Sequence, residues 1–273
     1  MKIAICLFGN TGFYSNGSTR TNELIKHNIV NRTNQETKLF KKNKVPPHLG
    51  YLNLKKKFID KYDTDVFIHC WDKENENLLK ELYNPKKSII EEQRDFPINL
   101  KNYGIIVEKD IDQWNCSLNA KLGYKRALEC RGSMDFLLKE CKIASFRLSS
   151  CLYSKKKVCE LKSEYEKENN FEYDWVIFCR FDNCRIEIDR SYNLLSSLDL
   201  NKLNKKNVYV EYRKNRKDKD ETYYDLWFLS NSKNSNIYGS CFNNRFKYCI
   251  FNVYSAREHI DSNIDKKNIQ LIY

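Results

Sequence analysis

The chain has 273 residues, of which 41% are hydrophobic and 14% aromatic, enough for a full buried core and too apolar for wholesale disorder. Its formal net charge of +12 raises a nucleic-acid reading, but no helix-turn-helix, zinc-finger or RNA-stacking signature accompanies the charge. No apolar run approaches the roughly 18 residues that a membrane span needs, so a soluble protein is expected.

Much of the charge sits in two basic clusters, residues 41–57 and 202–219, both interleaved with Asn. They read as solvated loops, with attraction to an anionic membrane surface or a charged glycan carrier as the alternative. The eleven cysteines are scattered, include no Cys-x-x-Cys pair and fit no zinc spacing. Free thiols in a reducing cytoplasm are therefore expected.

Lys2 to Phe8 has the pattern of a buried first strand rather than a signal peptide, because six apolar residues are too few for a signal core. It ends in Gly9, Asn10, Thr11 and Gly12, a turn-rich loop whose glycines could let backbone amides approach a phosphate. The third glycine of a dinucleotide fingerprint is absent. A polar stretch follows to about Gly50, with Pro46 and Pro47 breaking any helix there. Leu54, Phe58 and Tyr62, four residues apart, predict one face of a short helix. That helix leads into an apolar strand ending at Asp72, with His69 inside it as a satisfied core histidine.

Two weaker strands are predicted at Lys87 to Gln93 and Tyr103 to Glu108. Residues 115–170 are mainly helical by pattern, with Ser149 and Ser150 as N-cap candidates ahead of Tyr153, Ser154 and Lys157. Val158, Leu161 and Tyr165 mark one face of a helix that runs into the apolar strand Trp175 to Cys179, with Arg180 and Asp182 just beyond it. Asn207 to Tyr212 predicts a strand, Arg213 to Glu221 a polar loop, and the segment from Tyr223 a further apolar run. The tail, Ile237 to Tyr273, reads as a helix with a loose end.

One unit occurs twice: helix, Tyr-Asp, apolar strand, then a carboxylate, at Tyr62 to Asp72 and at Tyr173 to Asp182. Helices alternating with buried strands predict βαβ units and a parallel sheet, with both carboxylates opening onto one edge. Ligands of open α/β sheets bind outside the carboxyl ends of the strands, so Asp72, Arg180 and Asp182 become the site candidates. Asp174, before its strand, lies at the wrong end and reads as a cap.

Four segments together resemble a group of bacterial and large-viral glycosyltransferase-like proteins of the GT-A fold. They are Lys2 to Asn10; Asp65 to Asp72; Tyr153 to Lys162 with Phe171 to Asp174; and Arg180 to Asp182 with Asp225 to Asn231. The resemblance implies a single α/β domain over residues 1–273 with a mainly parallel, GT-A-like sheet, residues 1–182 binding the nucleotide and 183–273 facing the acceptor. It implies transfer of a sugar from a nucleotide-sugar to a hydroxyl of a glycan or lipid-linked acceptor, in the cytoplasm or at the membrane surface. Phe8, Gly9, Asn10, Thr11, Asp72, Tyr153, Ser154, Lys157, Arg180 and Asp182 become the donor-binding candidates, and Asp225 the catalytic base.

GT-A enzymes hold a divalent metal such as Mn²⁺ or Mg²⁺ on an Asp-x-Asp motif. Here Arg180 replaces the first aspartate. Two readings stay open: Asp182 binds the metal with Asn183 or His259, or Arg180 neutralises the diphosphate itself through its planar donors. A nucleotidyltransferase on the same sheet edge and a non-catalytic glycan- or nucleic-acid-binding relative are the competing functions.

Overall fold

A computed structural model describes residues 1–11, 47–181, 190–214, 221–250 and 252–272. Its centre is a seven-stranded sheet, built from β1 (Lys2–Gly9), β2 (Asp63–Cys70), β3 (Lys87–Ile90), β4 (Trp175–Arg180), β5 (Val208–Lys214), β6 (Glu221–Ser230) and β7 (Ile269–Ile272). The strand order is β3-β2-β1-β4-β6-β5-β7. β6 runs antiparallel to both neighbours, and every other pairing is parallel. The chain is thus α/β with a mixed, mainly parallel sheet.

The helices are α1 (Pro47–Leu54), α2 (Glu76–Tyr83), α3 (Leu118–Arg131), α4 (Met134–Asn169), α5 (Arg190–Ser197), α6 (Ser232–Gly239) and α7 (Asn252–Asn263). Pro47 opens α1, where its missing N–H costs nothing, and a π-helical turn, Lys55–Ile59, continues it. Alternation along the strands sorts the core into two layers. Ile3, Ile5, Leu7, Ile68 and Ile177 meet Leu54, Phe58, Leu79 and Leu195 on one face. Ala4, Cys6, Phe8, Phe67 and Phe178 meet Val158, Cys159, Leu161 and Tyr238 on the other. Each fully buried aliphatic or aromatic side chain contributes about 1.5–3 kcal/mol.

The 36-residue helix α4 joins two cores. Its C-terminal half covers the sheet, as Val158 and Leu161 predict. Its N-terminal half packs Leu137, Leu138, Cys141 and Leu148 against Trp114, Tyr124, Cys249 and Ile250. Lys162 is wholly buried in α4 and lies 2.9 Å from Glu166, which also accepts the Ser232 hydroxyl and the Tyr173 N–H. That network fastens α4 to α6 and to the turn before β4.

Several sequence expectations are corrected. Ser149 and Ser150 lie inside α4, whose cap is Ser133, accepting the Phe136 N–H. A helix of this length is set by its packing on two cores, which local cap patterns do not reveal. Tyr103 to Glu108 is not a strand: a 3₁₀ turn, Leu100–Tyr103, leads to Gly104 at φ +73°, and the Gly104 carbonyl accepts the Asn115 N–H. The third strand stops at Ile90 rather than Gln93. The tail is not loose, since Ile269–Ile272 adds a seventh strand beside β5. Four residues on an edge carry too short a pattern to read alone.

Asp174 does lie at the amino edge, accepting the Lys2 N–H at 2.7 Å and pairing with Lys205. The Lys205 partner holds its carboxyl below the ordinary range. The nine cysteines whose side chains are described are free thiols. No helix among the described residues is long and apolar enough to cross a membrane.

Candidate functional site at the carboxyl edge of the sheet

From β1 the chain builds outward through β2 to β3, then returns to place β4 on the opposite side of β1. The strand order therefore reverses between β1 and β4, and the carboxyl ends there form the crevice where open α/β sheets take ligands. Phe8 pairs with His69 on one side and with Arg180 on the other. Gly9, Asn10 and Thr11 leave this edge from β1, Trp71 and Asp72 from β2, Glu91 from β3, and Arg180 and Phe181 from β4.

Gly9 turns the chain at φ +93°, a conformation that side chains rarely tolerate. Its N–H donates to Ser154 Oγ at 2.8 Å, and its carbonyl accepts the Trp71 N–H at 3.2 Å. The Gly9 amide is thus committed to the protein rather than offered to a phosphate. Asn10 is exposed. Thr11 is buried and donates to Asp72 Oδ2, which also accepts Asn75 Nδ2 at 2.7 Å. Asp72 therefore clasps the loops after β1 and β2 together, and it does so at the edge where the sequence reading puts it.

Ser154 Oγ also lies 2.7 Å from His69 Nδ1, whose Nε2 faces Glu91 Oε1 at 3.2 Å. Burial lowers the His69 pKa to about 4, so the ring is neutral near pH 7. The Glu91 carboxylate fixes the ring proton on Nε2, leaving Nδ1 to accept the Ser154 hydroxyl. Burial pushes Glu91 up, but its bonds from Arg94 and His69 together hold it below its ordinary range. Serine, histidine and glutamate in sequence contact have the composition of a hydrolytic triad. Access decides otherwise: Ser154 and His69 are both 0% exposed, so no substrate reaches the hydroxyl. His69 is the core histidine that the sequence predicts.

Tyr153 and Lys157 also sit in the interior of α4, not at a helix start. Tyr153 stacks on Trp71 with centroids 5.6 Å apart, and Arg94 and Lys157 lie 5.2 and 5.7 Å from its ring centre. Phe96 and Phe242 extend this cluster. Lys157 is further held by Glu160, whose hydrogen bond raises its pKa. Sequence reading missed Trp71, Glu91 and Arg94. The available signal was position alone, since each lies within four residues of a strand's carboxyl end.

Phe8 belongs to the core, 1% exposed, with Lys155 Nζ 5.1 Å from its ring centre. Lys155 is itself fully buried and also sits 4.7 Å from the Tyr238 ring centre. Two cationic residues thus adjoin Phe8, Lys155 over its ring and Arg180 across the strand pairing. Neither was predicted as a pair, because Lys155 comes from α4.

His259 does not fit a metal role. It is buried, its Nε2 donates to the Ile237 carbonyl at 2.7 Å, and its Nδ1 accepts the Tyr248 hydroxyl at 3.1 Å. Burial lowers its pKa. Among the described residues no group of three His, Cys, Asp or Glu side chains is arranged to hold a metal ion. Asp182, Asn183 and Gly12 lie outside the described residues. Asp225 lies within β6, two residues before Trp227, which pairs with Cys179. Because β6 runs backwards, the Asp225 backbone falls near the carboxyl end of β4.

The chain matches no family model, no curated protein and no solved structure.

Proposed function

We propose that this protein is a glycosyltransferase of GT-A-like fold, moving a sugar from a nucleotide-sugar to a hydroxyl of a glycan or lipid-linked acceptor. The observation that carries the reading is the convergence at the β1–β4 crevice: the Gly9–Thr11 turn, Asp72 and Arg180 reach one edge from three strands. All of these residues but Thr11 belong to the segments that carry the resemblance.

Arg180 is suited to the diphosphate, because a guanidinium offers planar paired donors to phosphate oxygens and stays charged. Asp182 remains the candidate for a divalent cation, without His259 as co-ligand. The exposed Asn10 is the candidate for the nucleoside, on the loop that the buried Asp72 holds in place. Asp225 would take the acceptor hydroxyl proton if the reaction inverts the anomeric centre. The same edge suits a nucleotidyltransferase, and a non-catalytic relative would share its shape.

Calorimetric titration with UDP, GDP and CDP, with and without Mn²⁺, tests the reading. Metal-dependent binding lost in Asp182→Ala supports a metal-assisted donor site. Metal-independent binding lost in Arg180→Ala transfers the diphosphate to arginine. Absence of binding to all three nucleotides sinks the transferase reading.

A further inference from the structure

A pocket of about 570 Å³ is walled by α3, the 3₁₀ helix Ser240–Lys247, α7 and the turn at Lys266. Four cations from these four elements line it: Arg126, Lys247, Arg257 and Lys266. Its two carboxylates are occupied by the protein. Asp261 accepts the Tyr223 hydroxyl at 2.8 Å and the Arg257 Nε at 3.3 Å. Glu258 accepts the Cys249 N–H at 3.0 Å, and burial pushes its carboxyl up. Lys247 and Lys266 are exposed, and no carboxylate among the described residues lies within ion-pair distance of either.

The walls are also fastened to one another. The Ile250 N–H donates to Tyr124 of α3 at 3.1 Å, and Tyr248 reaches His259 of α7. The cations are thus carried on a braced frame, which lowers the ordering cost of binding. The rest of the lining is mixed: Leu122 and the Tyr248 ring supply apolar surface, and Ser117 and Ser262 supply hydroxyls. A bare anion needs only cations. A polyhydroxylated anion needs cations for its charge, hydroxyls for its O–H groups, and an apolar face for its C–H groups.

We propose that this pocket binds a carbohydrate bearing a phosphate or a carboxylate, with Lys247 and Lys266 meeting the charge. The inference stands apart from the transferase reading, since the pocket uses no residue of the β1–β4 crevice.

The test titrates the full chain with glucose 1-phosphate, glucuronic acid, glucose and inorganic phosphate, and repeats this with Lys247→Ala/Lys266→Ala and with Lys247→Glu/Lys266→Glu. Both lysines are exposed, so the variants should keep the parent melting temperature. Binding of either acidic sugar is expected, at least about tenfold tighter than glucose or inorganic phosphate, and weakened at least about tenfold by both variants, the worth of one charge-assisted hydrogen bond. The two acidic probes separate phosphate from carboxylate recognition. The proposal is overturned if neither acidic sugar binds, if glucose or inorganic phosphate binds as tightly, or if folded variants bind as the parent does. UDP titrated into the same variants keeps the parent's behaviour, so a failure here is separable from a failure at the crevice.

Discussion

The Ser154 hydroxyl accepts the Gly9 N–H at 2.8 Å, joining the middle of α4 to the turn that ends β1. That single oxygen holds the loop through which β1 enters the crevice, and its proton goes to His69.

Ser154→Ala leaves the Gly9 N–H and His69 Nδ1 without a partner in a site closed to water. Each orphaned buried group costs about 1–3 kcal/mol, so the substitution is expected to destabilise by about 2–6 kcal/mol. Urea denaturation measures it. A midpoint unchanged from the parent would show that the contact is not a determinant of the fold.

Acid should weaken the protein before its carboxylates titrate. The folded pKa of His69 is about 4, below the ordinary value of 6.5. Protonation therefore favours the unfolded chain: the stability is fully present above about 6.5 and is lost as the pH falls towards 4. The full loss is about 3 kcal/mol, and His259, also lowered by burial, adds in the same direction. Denaturation midpoints at pH 7 and pH 5 should differ, and His69→Asn should shrink that difference. An unchanged difference would place the acid sensitivity elsewhere.

Glu166→Ala strands the Lys162 ammonium inside the protein and also releases Tyr173 N and Ser232 Oγ. Breaking one half of a buried pair costs about 3–5 kcal/mol. The double replacement Lys162→Met/Glu166→Leu should lose less than Glu166→Ala alone, because no charge is left uncompensated. A double variant less stable than the single one would contradict that account.

At the crevice, Arg180→Ala should weaken UDP binding by about tenfold or more, the worth of a charged hydrogen bond. Arg180→Lys should recover only part of this, since an ammonium cannot make the planar paired contact. Calorimetry reads both. Full recovery by lysine would mean that charge alone matters there.

The sequence by itself determined the buried strands β1, β2 and β4, because runs such as Trp175 to Cys179 carry enough apolar pattern to specify themselves. It also placed Asp72 and Arg180 at strand ends on one edge, since apolar strands alternating with helices predict parallel pairing. Tertiary structure decided the rest. Ser154 and Lys155 read locally as members of a charged helix start, but α4 is long enough to lay them against β1 and β2, where one accepts a backbone N–H and the other sits over Phe8. β7 is four residues long and exists only because β5 offers an open edge. His259 became a core residue when α6 and Tyr248 closed around it. The braced pocket beside it draws cations from residues 126, 247, 257 and 266, and no local pattern records such a gathering. Local sequence encodes which face of an element is apolar; the partners across a core depend on how the elements pack.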